Sequence, residues 1–392
     1  MKFAHIIVTF LAASASTVRA EAHQNLGWGV LGVRLPEPLS DLSATLDPAT
    51  NLIYIAGGCD SPNGNEFAGE YFVCATISDD LYVFNPQDWS FGPRETLPRQ
   101  RYRHCAEIVN NQLWLLGGRD ADDALITEID VYDIAEKSWS VFTLPDDYLT
   151  SDQACFTDKS SSFFYVAGGY NATYGTRDAT FRIDTSTASA NLVVEEMAPL
   201  IEARGDVFAA SDGEFAYLGG GFTDANGFCA PLETAETYEF ATNTWTNLPP
   251  LINERGEIVM VEANGDVFAL GGERQIQDIC DVTGDTDPGE LTVGTEVVEV
   301  LTDSGWKVIE SFDDHKFRFA AVNVDGLIYA FGGQDAWDDG CQCFKTTDEI
   351  HLLGDGVTSS PTVAPADGGL SGPTISLWAV SAVLGVVAAM VF

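Results

Sequence analysis

Residues 113–118, with the sequence LWLLGG, contain the pattern that decides the fold: a short apolar run closed by a pair of glycines. Short aromatic or β-branched runs that end in glycine are typical of buried strands, and glycine adopts dihedral angles there that other residues reach only at a cost. The pattern occurs six times, with spacings of 60, 51, 51, 52 and 61 residues, at Gly57-Gly58, Gly117-Gly118, Gly168-Gly169, Gly219-Gly220, Gly271-Gly272 and Gly332-Gly333. The chain is therefore predicted to contain six successive β-units.

A second element of the repeat follows each glycine pair after a loop of variable length. In three units a tyrosine is followed seven residues later by a tryptophan: Tyr82 and Trp89, Tyr132 and Trp139, Tyr238 and Trp245. The fifth unit has Val298 and Trp306, and the third has Phe181 without a tryptophan. This pattern resembles the Kelch repeat, over about residues 27–354. The resemblance implies an all-β, six-bladed Kelch-type β-propeller, in which each repeat forms one four-stranded blade.

The last unit lacks an outermost strand, because the chain enters a linker after His351-Leu352-Leu353. Trp28 precedes Leu35-Pro36 in the same way that Trp245 precedes Leu248-Pro249, although no repeat comes before Trp28. We therefore expect the N-terminal strand to complete the last blade, which also hides two sheet edges. No linker supports the alternative of two three-bladed domains, and a seventh blade is a remote alternative. One propeller over residues 21–356 is predicted.

Composition limits the functional classes. The chain has 392 residues, 45% of them hydrophobic, with 59 acidic against 19 basic side chains and a formal charge of -40. The apolar content excludes a disordered acidic tail, and the 43 aromatic residues with 37 glycines favour β-structure. Binding to nucleic acid or to anionic lipid needs clustered Lys and Arg, so we expect neither.

The two ends predict entry into the secretory pathway and attachment at the cell surface. Residues 1–20 have the basic, apolar and small-residue regions of a signal peptide. Residues 357–374 form a Ser/Thr/Pro/Gly linker, and the uncharged residues 375–392 are close to the length that spans a bilayer. Small residues near Asp367 resemble a glycosylphosphatidylinositol attachment site, and a transmembrane helix is the alternative. The single sequon, Asn171-Ala172-Thr173, is a glycosylation candidate in a surface loop.

The eight cysteines agree with an oxidising compartment, and all are disulfide candidates. Cys59 and Cys74 enclose the loop of blade 1, which favours a bond within that loop. Four more lie in the corresponding loops of blades 4, 5 and 6, where three pairings are open, and two lie early in the first strands of blades 2 and 3. These six are Cys229, Cys280, Cys341, Cys343, Cys105 and Cys155. A metal site at Cys341 and Cys343, with Asp338 and Asp339, is the less favoured alternative.

The loops between the second and third strands of each blade vary most in length and carry many acids. Long loops on one face of a rigid scaffold are typical of binding surfaces. We expect no cofactor; a calcium site on the loop of blade 5 is the open alternative, because carboxylates cluster there beside glycines without matching the EF-hand spacing. The candidate ligands are Asp281, Asp285, Asp287 and Glu290. A solvated acidic surface is the simpler interpretation.

Arginine recurs at one repeat position, the entry to the first strand of a blade. First strands line the central channel of a propeller, so these side chains are predicted to surround its mouth, with Arg119 close by. The set is Arg101, Arg103, Arg204, Arg255, Arg318 and Arg119. Either they pair with neighbouring backbone and carboxylates, or they form a cationic centre that binds an acidic group of a partner. Some Kelch proteins bind acidic peptides through arginines at the channel mouth. This resemblance supports the predicted placement of the arginines and does not identify the ligand.

Enzymatic activity is the alternative to binding. Copper-radical enzymes resembling galactose oxidase need several histidines and a tyrosine cross-linked to cysteine, whereas His104 and His315 alone are placed near the predicted channel mouth. A metal-free sugar epimerase or mutarotase would need an acid–base pair, for which His104 with an arginine and a carboxylate is a weak candidate. We therefore predict a monomeric, non-enzymatic module that binds an extracellular protein or glycan through the long-loop face and channel mouth.

Overall fold

The computed structural model describes residues 26–355 and 357, apart from the segments 61–64, 69–70, 75, 161, 187–191, 277–291 and 341–342. The predicted signal peptide, the hydrophobic tail and Asp367 lie outside these residues. Within these described residues nearly all regular structure is β, with two short 3-10 helices at Asp146–Tyr148 and Asp224–Asn226. Six antiparallel sheets follow one another along the chain and form the six blades of a propeller.

Each blade places its first strand innermost and its last strand outermost, and the register is antiparallel throughout. Blade 1 has Ser43–Asp47, Leu52–Ala56, Asp80–Asn85 and Ser90–Phe91, with Glu95–Thr96 also pairing its third strand; blade 2 has Cys105–Val109, Gln112–Leu116, Glu128–Asp133 and Ser138–Thr143; blade 3 has Ala154–Thr157, Phe163–Ala167, Thr180–Asp184 and Val194–Glu196. Blade 4 has Ala210–Ser211, Phe215–Gly219, Ala235–Glu239 and Thr244–Leu248; blade 5 has Val259–Ala263, Asp266–Leu270, Thr292–Thr302 and Gly305–Lys316; blade 6 has Ala320–Val324, Leu327–Phe331, Ile350–Asp355 and Leu26–Val30.

The N-terminal strand closes the ring, as the sequence predicted. Leu26–Val30 pairs with Ile350–Asp355, and Trp28 lies opposite Leu353. The indole of Trp28 is 3% exposed and stacks on Phe312 with a ring-centroid distance of 3.7 Å. The prediction of a six-bladed, all-β propeller closed by its first strand is confirmed.

The glycine pairs mark the end of each second strand, with one correction. In blade 4 the two glycines with positive φ are Gly220 and Gly221, whereas Gly219 is the last residue of the strand. The backbone turns tightly at Gly220, where a Cβ would overlap the carbonyl oxygen of Arg255 in the linker to the next blade. Glycine is therefore required by the close approach of neighbouring blades as well as by the dihedral angles.

One face of the disc carries the loops between second and third strands together with the linkers between blades; we call it the loop face. On blades 5, 6 and 1 this face bears additional strands, which we call the wall: Asn65–Ala68, Tyr71–Cys74, Glu273–Gln275, Gln334–Asp338 and Cys343–Thr346. The wall is continuous, because the hairpin of blade 6 contacts the long strands of blade 5 on one side and Asn65–Ala68 of blade 1 on the other.

The opposite half of the loop face, over blades 2, 3 and 4, is built from shorter loops and from linkers; we call it the floor. Its segments are 120–127, 145–149, 171–179, 198–203, 223–234 and 249–254. Hydrogen bonds join neighbouring segments of the floor: Thr176 bonds to Asp224, and Tyr174 donates to Asp123 Oδ2 at 2.7 Å. Among the described residues, the structure has no helix of the length and apolarity needed to cross a membrane.

Candidate functional site

Six ionisable residues, one at the entry to each blade, surround the mouth of the central channel on the loop face; we call them the mouth ring. They are Asp41, Arg103, Asp152, Asp206, Glu257 and Arg318, all with φ between +53° and +58°. Backbone hydrogen bonds run from one to the next: the N–H of Arg103 donates to Asp41 at 3.0 Å, and that of Asp152 donates to Arg103 at 2.9 Å. The left-handed conformation is costly for residues other than glycine, so the blades must hold all six in place.

Ion pairs close this mouth. Arg318 Nε lies 2.9 Å from Glu257 Oε1, and Arg103 Nε lies 3.4 Å from Asp152 Oδ1 and 3.6 Å from Asp41 Oδ1. These five side chains are 2–7% exposed, and the enclosed void at the ring is about 20 Å³, which is about the space of one water molecule. Among the described residues, the side chains of the mouth ring pack closely around this small void.

The mouth ring has four carboxyl groups against two guanidinium groups, and the pKa shifts follow from that excess. The pKa of Glu257 is raised to about 7, chiefly by burial, with Arg318 opposing the rise and Asp41 and Glu273 adding to it. Burial, followed by the neighbouring Glu257, raises the pKa of Asp206 well above its ordinary value. The predicted cationic centre is therefore corrected: the channel mouth is acidic in composition.

Three of the predicted binding arginines are structural. Arg101, Arg204 and Arg255 are fully buried (0% exposed) and donate to the carbonyl oxygens of Gly117, Gly220 and Gly271 at 3.2, 2.8 and 2.8 Å. Each also pairs with a buried carboxylate of the third strand, namely Asp130, Glu236 and Glu299. They join each linker to the blade that follows it and do not reach the channel mouth. An acid two residues before the repeat tyrosine, at Asp130 and Glu236, is the signal in the sequence that could have identified this role.

The remaining predicted arginines lie at the loop face but are engaged in the fold. Arg103 and Arg318 belong to the mouth ring. Arg119 is buried beneath the floor, where it donates to Ser151 Oγ at 3.0 Å and to the carbonyl oxygen of Asn171 at 2.9 Å. Its guanidinium also lies 3.8 Å from the ring centroid of Tyr174. Arg119 thus fixes the loops of blades 2 and 3, including the predicted glycosylation site at Asn171.

Beyond the mouth ring, the channel widens into a cavity of about 270 Å³ that is lined by the innermost strands. His104 lies at its closed end, where Nε2 and Ser43 Oγ are 2.9 Å apart, and burial lowers the pKa of His104 well below its ordinary value. Glu107 also lines the cavity, and burial raises its pKa to about 8. His315 is partly exposed beside Glu296, and His351 packs against Trp28. The structure does not bring these histidines together.

The cysteines form disulfides in the described part of the chain. Cys59 bonds to Cys74 with a Cα–Cα distance of 5.7 Å, as predicted, and Cys105 bonds to Cys155 at 5.8 Å across the innermost strands of blades 2 and 3. Cys229 and Cys343 are also disulfide-bonded. Cys280, Cys341 and the calcium candidates Asp281, Asp285, Asp287 and Glu290 lie outside the described residues. Within the described ranges no three His, Cys, Asp or Glu side chains are placed to hold a metal ion.

Comparison with known proteins agrees with this geometry. The family model of the Kelch motif matches residues 100–143, which span the linker into blade 2 and all four of its strands. The chain is a six-bladed β-propeller that carries a Kelch motif. It is similar to Kelch-like protein 36 of Bos taurus, with 27% identity over 225 residues, and to that of Mus musculus at the same identity. These matches cover 56% of the chain but 34% of each relative, so the chain spans about a third of their length.

Two further similarities extend the comparison. Kelch-like protein 8 of Caenorhabditis elegans is 27% identical over 89 residues, which cover 23% of the chain and 12% of that protein. Among solved structures, that of YjhT superposes with a TM-score of 0.63 at 12% identity, covering 82% of the chain and 95% of YjhT. At that identity the similarity supports the propeller fold and nothing more specific.

The loop face of this Kelch propeller is rigid, and it is not flat, because the wall stands beside the floor. The wall is anchored by the Cys59–Cys74 bond and by Phe344, whose ring lies 5.1 Å from that of Phe317 and 5.0 Å from that of Trp337. Wall and floor are joined where Gln275 Nε2 donates to the carbonyl oxygen of Phe228 at 3.1 Å. A surface held in this way loses little conformational entropy when a partner binds.

Proposed function

We propose that this Kelch propeller is a non-enzymatic recognition module that binds a protein partner through the loop face. Kelch-type propellers are typical protein-interaction modules, and the chain has both the motif and the fold. The single observation that carries the proposal is the closed mouth ring beside a continuous wall. Because the ring fills the channel mouth, the surface available to a partner is the broad step between wall and floor, which suits a polypeptide better than a small substrate.

The geometry at the mouth does not favour the alternative of a carbohydrate enzyme. His104 is buried behind the ring, with Nε2 hydrogen-bonded to Ser43, and the arginines of the ring are paired with carboxylates. A general acid or base must come within hydrogen-bonding distance of its substrate. Among the described residues, the ion pairs of Arg103 with Asp152 and Asp41 lie at the channel mouth between the loop face and His104.

We further propose that the propeller acts outside the cell and is attached to the membrane through residues 375–392. The disulfides of the described chain support an oxidising compartment. Treatment of intact cells with a phosphatidylinositol-specific phospholipase tests the anchor. Release of the protein into the medium supports a lipid anchor; retention in the membrane after treatment supports a transmembrane helix.

Site-specific photo-crosslinking tests the proposed binding face. A benzophenone amino acid is placed at Ala225 on the floor, and a matched control places it at Lys159, an exposed residue between strands 1 and 2 of blade 3 on the opposite face. The proposal expects cross-links to a defined protein from position 225 and none from position 159. Equal cross-linking from both positions would contradict it. A glycan array probed with the same protein tests for a glycan partner, the other class that the sequence predicts.

A further inference from the structure

We infer that the partner segment of this module is a basic polypeptide that places apolar side chains on a pair of isoleucines of the floor, Ile201 and Ile252. The inference rests on the proposed function and specifies the chemistry of the partner. It follows from where the two isoleucines stand in the repeat, how they are held, and which charges surround them.

The two isoleucines occupy the same repeat position in adjacent linkers. Each stands three residues before a buried arginine, Arg204 or Arg255, and directly after a buried leucine, Leu200 or Leu251. The leucine fills the interface between blades, whereas the isoleucine is turned outward, with exposed fractions of 54% for Ile201 and 57% for Ile252. Isolated apolar residues are ordinary on protein surfaces, but here the exposure is repeated in register on one face.

Both isoleucines are held by the ion-pair system of the blades. The N–H of Ile201 donates to Glu236 Oε2 at 2.7 Å, and the N–H of Ile252 donates to Glu299 Oε2 at 2.8 Å. The same two carboxylates are buried and pair with Arg204 and Arg255. The backbone beneath each isoleucine is therefore fixed, so a partner gains apolar contact without ordering a loop.

The charge around this pair selects the partner. The floor segments contain ten carboxylates and one arginine, Arg177. The guanidinium of Arg177 donates hydrogen bonds to the carbonyl oxygens of Leu149 and Asp147. Seven of the carboxylates are exposed: Asp122, Asp146, Asp147, Asp178, Asp224, Glu233 and Glu254. Such a field attracts Lys and Arg side chains and repels acidic ones. With a formal charge of -40, a second copy of the chain and an anionic membrane are both disfavoured as occupants.

Defined peptides test the inference on the full-length protein. The probe is a short fluorescein-labelled peptide of lysine and serine that carries two leucines, prepared as a series with increasing leucine separation. The comparison peptides replace lysine by glutamate, or leucine by serine. We expect fluorescence anisotropy to detect binding of the lysine–leucine peptide at one favoured separation, and the affinity to fall with added salt.

Two double variants and a matched control assign the site. Ile201→Ser with Ile252→Ser should weaken binding by at least about tenfold, since each isoleucine loses apolar contact. Glu233→Gln with Glu254→Gln should weaken it by a similar factor at low salt. Glu136→Gln with Glu214→Gln, on the opposite face, removes the same charge and should leave affinity unchanged. All six positions are exposed or half-exposed, so we expect the variants to fold.

The inference is overturned if the lysine–leucine peptide binds no better than either comparison peptide, or if the isoleucine variant binds it as the wild type does. Binding of phosphatidylglycerol vesicles, or dimers in sedimentation that the same variant abolishes, would also overturn it, because the occupant would then be a membrane or a second copy. If photo-crosslinking from position 225 still captures a protein in any of these cases, the proposed function stands and only the chemistry assigned to the partner fails.

Discussion

Arg318 Nε lies 2.9 Å from Glu257 Oε1, and this contact joins blade 6 to blade 5 across the mouth of the channel. The two residues occupy the same repeat position in neighbouring blades, yet one is a cation and the other an anion. Asp41 of blade 1 lies on the other side of Arg318, with 3.9 Å between Arg318 Nε and Asp41 Oδ1. Opposite charges at one repeated position thus join blades 5, 6 and 1 at the channel mouth.

Removal of one charge from this ring should destabilise the propeller strongly. Arg318→Met leaves Glu257 and Asp41 buried without their shared guanidinium, which typically costs about 3–5 kcal/mol in the free energy of unfolding. The matched control is Arg34→Met, because Arg34 is 44% exposed and pairs with Glu349 at the surface, where a pair contributes at most about 1 kcal/mol. Urea unfolding of both variants measures the difference. Similar losses from the two would mean that the ring has no special structural role.

Glu107 should make the stability depend on pH in a defined direction. Burial raises the pKa of Glu107 from 4.5 to about 8 in the folded chain. Folding therefore takes up a proton at pH values between about 4.5 and 8. The stabilisation is complete below about pH 4.5 and is lost as pH rises through about 8. Glu107→Gln keeps a neutral group in the channel, so its unfolding free energy should decline less steeply over this window than that of the wild type.

Urea unfolding at several pH values provides the measurement for Glu107. Glu136→Gln, at an exposed turn, removes one charge away from the channel and controls for the general repulsion among the many acids. Parallel stability profiles for wild type and Glu107→Gln would contradict the predicted proton uptake.

Pairing of the N-terminal strand with blade 6 should determine the stability of the whole propeller. Trp28→Ala removes a buried indole that stacks on Phe312, and large-to-small changes of this kind cost about 3–5 kcal/mol. Val141→Ala, at a residue that is 49% exposed on the outer strand of blade 2, should cost less than about 0.5 kcal/mol. Deletion of residues 21–36 should abolish cooperative unfolding. A deletion variant that retains the wild-type transition would show that the ring does not depend on its closing strand.

The two described disulfides should differ in their contribution to stability. Cys105–Cys155 closes a loop of 50 residues and Cys59–Cys74 one of 15. Chain entropy then assigns about 4 kcal/mol to the first and about 3 kcal/mol to the second. We expect Cys105→Ala with Cys155→Ala to lower the unfolding free energy more than Cys59→Ala with Cys74→Ala does. The reverse order, measured under identical oxidising conditions, would contradict this prediction.

The sequence by itself determined the blades. Each blade is a local unit of strands, glycine pair and aromatic residues, so its pattern is present within one stretch of chain. Ring closure was also predictable. The last blade lacks an outer strand in its own repeat, and the strand that contains Trp28 has no blade of its own, so each supplies what the other lacks. The bond between Cys59 and Cys74 was predictable for the same reason, since both residues belong to one loop. Gly220-Gly221 was misassigned by one residue because three consecutive glycines leave the register open.

Only the tertiary structure decided what the arginines do. Arg101 and Arg103 are two residues apart at the entry to one strand, but the first turns between blades to meet Asp130, whereas the second faces the channel beside Asp152. The partners come from different repeats or from another strand of the blade, so local spacing cannot assign them. The charge of the channel mouth is a sum over six blades, and the floor around Ile201 and Ile252 exists only once the ring brings separate linkers to one face. Long-range packing, which the repeat pattern does not encode, determines both the charge of the channel mouth and the formation of the floor.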